Sequence, residues 1–285
     1  MVDRRSPPPA SMIERMTLIL GAFDGSAPRL TLQEIADRSG LPRSTTHRIL
    51  DTLVRLRWLE HRGGGYRLGM RSLELGGLAV AHNELREATA PLLHDLHLRT
   101  QATVHLSVLD RLDIVYLDRV AGRGGSAVKT RVGGRTPAHA TAAGKAMLAW
   151  LDPRVVDATF RDRLVPRTPR TLPTVEALAQ ELVAVRARGG VAYDREESAP
   201  GVACVAAPLR GSGRAIAAIS LTGPARETDL VRLTPYVEQT TRQASAALFP
   251  RLPDDDSRRD HPVPSAWPPG ALDKLLQGMG GDYWL

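Results

Sequence analysis

Thr31-Leu-Gln-Glu-Ile-Ala-Asp-Arg-Ser-Gly-Leu-Pro-Arg-Ser-Thr-Thr-His-Arg-Ile-Leu50 decides how the N-terminal part of the chain is read. Thr31 followed three residues later by Glu34 is a capping box, in which each side chain satisfies a backbone N–H at a helix start. Leu32, Ile35 and Ala36 supply the inner face of the short helix that follows. Ser39-Gly40 ends it, with Gly40 suited to the left-handed residue that terminates helices. Pro42 fits the first turn of a second helix, where its missing N–H has no intrahelical partner. That helix is predicted to run to about Leu56, with Ile49, Leu50, Leu53 and Leu56 facing inward. Two helices joined by so short a turn often read DNA, although an ordinary helical hairpin carries the same pattern.

The flanking sequence favours DNA. Trp58-Leu-Glu-His-Arg-Gly-Gly-Gly-Tyr-Arg-Leu68 reads as two strands around a glycine turn, a hairpin tipped by Arg62 and flanked by Arg67. Residues 41–71 hold seven arginines against Asp51 and Glu60, a local excess of five positive charges that suits a polyanion. Upstream, Ser11 and Glu14 form another capping box, and Ile13, Met16, Leu20 and Phe23 fall on one helical face. A winged helix-turn-helix is therefore expected over residues 11–69, after a loose arm at 1–10 containing Pro7-Pro8-Pro9. The start of a recognition helix meets base edges, which points to Arg43, Ser44, Thr45, His47 and Arg48. Thr46 and His47 have an alternative role as packing against the preceding helix. Arg62 and Arg67 suit phosphate or minor-groove contacts.

Residues 70–83 read as a linker helix carrying Leu73, Leu75, Leu78 and Val80, able to pack against a second subunit. A further helix runs from about Asn83 to Thr100. The texture then changes. Thr103–Leu109 and Ile114–Val120 alternate like strands, a third strand is expected at 127–131, and a helix at 141–151. Thr174 caps a helix reaching about Arg188, a strand pair brackets Arg210-Gly-Ser-Gly213, and a closing helix spans 230–248. This is an α+β domain over residues 84–250 around one antiparallel sheet. The Pro- and Asp-rich segment 251–285 is expected to be disordered.

Composition sets bounds. The chain has 285 residues, a net charge of +7, 42% hydrophobic and only 4% aromatic residues, so its cores are built from aliphatic side chains. Cys204 is the single cysteine, which excludes an internal disulfide and fits a reducing compartment. No Cys/His spacing suggests zinc, and no cofactor is implied. No stretch is long and apolar enough to span a bilayer. Residues 16–23 mimic a signal peptide, but Glu14-Arg15 precede them and no cleavage site follows, so a cytoplasmic protein is expected. Gly144-Lys145 fails as a phosphate loop, since His139 stands where its first glycine belongs.

With these stretches assembled, the chain resembles the IclR family, named for the isocitrate lyase regulator. The resemblance spans residues 11–250 and rests on Leu30–Ala36, Gly40–Leu53, Gly65–Gly69, Arg131–Ala146, Asp194–Glu197 and Gly201–Pro208. It implies a GAF-like (profilin-like) effector-binding domain, a homodimer or homotetramer, and ligand-controlled binding to a palindromic DNA operator, with repression expected and activation the alternative. It places the effector between the sheet and the helix opened by Thr141, Ala142 and Ala143, whose N–H groups and small side chains suit a carboxylate. It also points to Asp194, Cys204 and Ser220. Each has a plainer reading: Asp194 as a turn cap, Cys204 as packing, Ser220 as satisfied within the sheet. A small organic acid or an aromatic catabolite is the expected effector. Two other functions fit the residues: an enzyme using Cys204 as nucleophile with His105 or His139 as base, and a DNA-binding protein whose sensor no longer responds.

Overall fold

A computed structural model describes residues 11–25, 27–121, 130–211 and 214–249. They form two compact units that divide between Asn83 and Glu84. The arm at 1–10 and the segment 251–285 lie outside the described residues.

The first unit contains α1 (Met12–Gly21), α2 (Leu32–Ser39), α3 (Arg43–Arg55), the strands β1 (Leu59–Arg62) and β2 (Gly65–Leu68), and α4 (Met70–Ala81). Both capping boxes form: Thr31 N donates to Glu34 Oε2 at 2.7 Å, and Ser11 N to Glu14 Oε2 at 3.0 Å. Gly40 closes α2 with φ at 68°, a conformation that a side chain would strain. Ile19, Leu30, Ile35, Leu41, Ile49, Leu50, Leu53, Leu59 and Tyr66 make one core. Two residues lie outside the core: Ile13, on the apolar face read for α1, and Leu56, expected to face inward. Ile13 is 77% exposed, because the α1 stripe that reaches the core runs through Met16, Ile19 and Leu20. Leu56 is 48% exposed, because α3 stops at Arg55 and the chain turns away through a left-handed Arg57.

The hairpin register pairs Arg62 with Gly65, which leaves Gly63 and Gly64 as a two-residue turn with φ of 60° and 76°. Two successive positive φ values define the type I′ turn, whose twist matches that of its strands and which glycine adopts without strain. Leu30 adds a further rung by exchanging backbone bonds of 2.9 and 2.7 Å with Tyr66.

The second unit begins with α5 (Glu84–Thr100) and ends with α9 (Leu230–Leu248). Between them lie β3 (Thr103–Asp110), β4 (Asp113–Val120), β5 (Arg135–Pro137), α6 (Ala142–Leu148), α7 (Pro153–Phe160), α8 (Val175–Ala187), β6 (Ala192–Arg195), β7 (Val202–Gly211) and β8 (Arg214–Pro224). The strands form one antiparallel sheet in the order β5-β4-β3-β8-β7-β6. Its alternation divides the core in two. Val104, Leu106, Val205, Leu209, Ile219 and Leu221 pack with α5 and α9, while Tyr116, Cys204, Ala206 and Ala218 pack with α6, and α7 and α8 join that second layer.

Several expectations shift. Of the strand expected at 127–131, residues 127–129 lie outside the described residues, Thr130 and Arg131 are irregular, and the next strand is β5. The helix expected at 141–151 stops at Leu148, and a separate helix, α7, restarts after Asp152 with Pro153 in its first turn. The four-residue β6 is a further strand, at the edge of the sheet beside β7.

Gly144 shows why α6 sits where it does. A Cβ at that position would run into the carbonyl of Ala138, so only glycine lets the helix approach the preceding turn. Gly144→Ala is expected to destabilise the protein by about 3 kcal/mol, read as a lower midpoint in thermal unfolding. A variant as stable as the wild type would mean that the backbone there yields without strain.

Candidate nucleic-acid interface and effector site

Pro42 opens α3, and the helix buries Thr46, Ile49, Leu50 and Leu53 against the core. That period fixes the opposite face. Arg43, Ser44, His47 and Arg48 are exposed and Thr45 is half-buried. Thr46 is fully buried, its Oγ1 donating to the Pro42 carbonyl at 3.2 Å, so of the two residues with a packing alternative Thr46 takes it. His47 points outward, with Nδ1 3.2 Å from Asp51 Oδ2 one turn on. Among the described residues, Arg43, Arg48 and Arg62 enter no ion pair. Arg67 differs: its guanidinium donates through Nε (3.0 Å) and Nη2 (2.6 Å) to Glu60 across the hairpin. Its charge is thus partly balanced before any partner arrives.

In the second unit α6 is buried on every side, and beneath it the sheet presents small or hydrogen-bonding side chains. Register brings together residues far apart in sequence: Asp194 faces Cys204, Cys204 faces Thr222, and Ser220 faces His105. Thr141 caps α6 by accepting from Gly144 N at 3.0 Å, and its own N–H goes to the Ala138 carbonyl at 3.3 Å. The opening of the helix therefore has fewer free donors than its sequence suggested. Ala142 and Ala143 pack in the same cluster as Cys204 and Ala206.

Asp194 holds a turn. Its Oδ1 accepts from Glu197 N (2.7 Å) and Ser198 N (3.3 Å), and its Oδ2 from Ser198 Oγ (2.5 Å). Burial raises its pKa against the pull of those bonds and of Lys145. Beside it lies a feature that the sequence reading passed over. Lys145, 1% exposed, places Nζ 2.6 and 2.7 Å from the two oxygens of Glu197. Burial pushes the Glu197 carboxyl up and Lys145 draws it back. Thr168 and Thr171 donate to the carbonyls of Glu196 and Glu197 at 2.7 Å each, so α6, the turn after β6 and the segment before α8 are tied together at one point.

Cys204 is enclosed. Burial pushes its thiol up to about 12, and Thr222 Oγ1 donates to its sulfur at 3.2 Å. A thiol held protonated is the opposite of an activated nucleophile. Burial also pushes His105 down to about 3, so its ring is neutral at any physiological pH. One ring nitrogen is 2.7 Å from Thr130 Oγ1 and the other 3.4 Å from Thr222 Oγ1, which makes a chain Thr130–His105–Thr222–Cys204 across the sheet. His105 and Thr222 were legible as i, i+2 neighbours of strand residues on the same face, but only the register identifies which strands meet.

Known proteins resemble this chain in sequence and in fold. Residues 12–63 match the IclR helix-turn-helix domain, and residues 77–248 match the C-terminal domain of the bacterial transcriptional regulator IclR. The HTH-type transcriptional regulator XynR of Escherichia coli is 36% identical over 240 residues, covering 83% of this chain and 94% of XynR. The transcriptional repressor IclR of the same organism is 34% identical over 207 residues, covering 70% of this chain and 75% of the repressor. The crystal structure of an IclR homolog from Microbacterium hydrocarbonoxydans, complexed with 4-hydroxybenzoate, superposes with a TM-score of 0.71 at 28% identity, covering 84% of this chain and 99% of that one.

Proposed function

The chain belongs to the IclR family of bacterial transcriptional regulators, and on that premise we propose that it is a repressor whose grip on a palindromic operator is set by a small acid bound beneath α6. That it is a DNA-binding regulator and not an enzyme follows from the family. The observation that carries the finer reading is the exposed row of Arg43, Ser44, His47 and Arg48 along the first turns of α3. These residues lie where a recognition helix offers base-reading donors.

The effector reading is supported by the face beneath α6, where Cys204, Ser220, Thr222 and His105 converge among alanines. The 4-hydroxybenzoate bound to the Microbacterium homolog makes an aromatic monoacid the first compound to try. A dimer is supported by α4, which buries none of its residues and leaves Leu73, Leu75 and Leu78 at 68%, 48% and 54% exposure. A second copy covering that stripe would set two α3 helices at a fixed spacing. An effector that prefers one spacing shifts the population between tight and weak binding.

The test is binding of the purified full chain to DNA from its own upstream region at two salt concentrations. The effector panel consists of monocarboxylates in matched pairs: benzoate with 4-hydroxybenzoate, and propionate with 3-hydroxypropionate. Salt-sensitive binding to a palindrome, weakened tenfold or so by one acid, is the expected result. Specific binding that no acid alters would indicate a sensor that does not respond. Binding no tighter than to random DNA would overturn the operator assignment.

A further inference from the structure

The register between β3 and β8 is unbroken, so Ser107 lies on the same side of the sheet as its cross-strand partners Ala218 and Tyr116, both in the cluster under α6. Two residues earlier on the same strand, His105 shares that face, and its ring lies 4.9 Å from that of Tyr116. Ser107 is fully buried. Among the described residues its Oγ has no hydrogen-bond partner, although a hydroxyl can donate one bond and accept two. A buried polar group left in that condition is unfavourable, and natural proteins keep few of them without a reason. The other polar groups on this face are committed: Thr222 to Cys204, His105 to Thr130, Asp194 to its turn.

We infer that Ser107 is a specificity-determining residue of the effector site, hydrogen-bonding an uncharged oxygen, hydroxyl or carbonyl, that the effector carries in addition to its carboxylate. This rests on the proposed binding of an acid beneath α6. The oxygen is uncharged because the titratable groups flanking Ser107 on β3 and β4, His105 and Tyr116, are themselves neutral, while the charges in the same layer are committed elsewhere, Lys145 to Glu197 and Asp194 to its turn. His105 is pushed down to about 3 by burial, and Tyr116 and Cys204 are both pushed up to about 12. The cation nearest along the relay, Arg119, donates its Nε to Thr130 at 3.1 Å. A second carboxylate placed at Ser107 would be desolvated with no uncommitted counter-charge, since Glu197 already holds Lys145, whereas a hydroxyl would satisfy the orphan and be satisfied by it.

The experiment is calorimetric titration of the full chain and of Ser107→Ala with the matched pairs named above, together with thermal unfolding of both proteins without ligand. The wild type is expected to bind the hydroxylated acid of a pair about five- to tenfold more tightly than its plain counterpart. Ser107→Ala is expected to narrow that preference to about twofold or less, with affinity for the plain acid unchanged. Its unfolding midpoint without ligand should rise by about 2–4 °C, because an unsatisfied polar group has been removed. An unchanged hydroxyl preference in a variant that still binds the acids would overturn the role of Ser107 and leave the effector site standing. A lower midpoint without ligand would also overturn it, by showing that the hydroxyl is satisfied in the free protein. If no acid of the panel binds the wild type, the effector reading falls and this inference falls with it.

Discussion

Lys145→Met is expected to lower stability by about 3–5 kcal/mol, the cost of leaving one member of a buried ion pair without its partner. In a domain of this size that corresponds to roughly a 10 °C drop in the unfolding midpoint. Lys145 Nζ touches both carboxylate oxygens of Glu197, whose side chain is 12% exposed. With the ammonium removed, the main pull restraining the Glu197 pKa disappears, and burial together with the nearby Asp194 raises the carboxyl against only a backbone hydrogen bond from Arg195. A carboxyl whose folded pKa is raised loses stability as pH climbs through that value, because the folded state must give up a proton it holds more tightly than the unfolded chain does. The deficit of Lys145→Met should therefore be largest at pH 8 and shrink as pH falls toward 5. Adding Glu197→Gln should recover much of it by removing the stranded charge. Thermal unfolding of the single and double variants across that range checks both statements. A pH-independent deficit, or none, would show that the pair does not hold the segments together.

Arg48→Ala is expected to weaken operator binding by about 1–3 kcal/mol for each half-site, so a dimer on a palindrome loses about 2–6 kcal/mol, roughly thirtyfold at the least and more than ten-thousandfold at the most. Arg43→Ala should behave alike, since both side chains are exposed on the first turns of α3. Two readouts separate base reading from phosphate contact. If an arginine reads a base, the variant relaxes preference at one position of the site and leaves random-DNA binding nearly intact. If it contacts phosphate, binding falls uniformly and the salt dependence flattens by about one counterion per copy. Arg67→Ala should cost less than either, because Glu60 already holds that guanidinium across the hairpin. Should Arg67→Ala prove the most damaging of the three, the wing and not α3 would be the principal contact.

The legible part of this protein was local. Thr31 and Glu34, Ser39-Gly40 and Pro42 declared where two helices start and stop because capping is satisfied within four residues, and the observed α2 and α3 begin within a residue or two of those signals. The glycine turn of the wing was equally plain, since two adjacent positive φ values need residues without a Cβ. Alternation in residues 103–109 revealed a strand for the same reason, since each face must match one environment, and the apolar stretches either side of Arg210-Gly-Ser-Gly213 revealed a strand pair. Elements without a period failed. β6 is four residues long, too short for alternation to register, and α7 was not expected at all, although Asp152 caps it and Pro153 opens its first turn.

The candidate site was legible only as a set of names. Thr141, Ala142, Ala143, Asp194, Cys204 and Ser220 do cluster, yet that followed from resemblance and not from spacing. What the sequence by itself determined was the helix-turn-helix, its basic outer face and the existence of an antiparallel sheet, since caps, turns and alternation are written in residues a few positions apart. Tertiary structure alone decided that Lys145 meets Glu197 across 52 positions, that Asp194 serves its own turn, and that Ser107 is left under α6 without a partner. Burial and strand register create those relations, and both depend on which distant segments pack together.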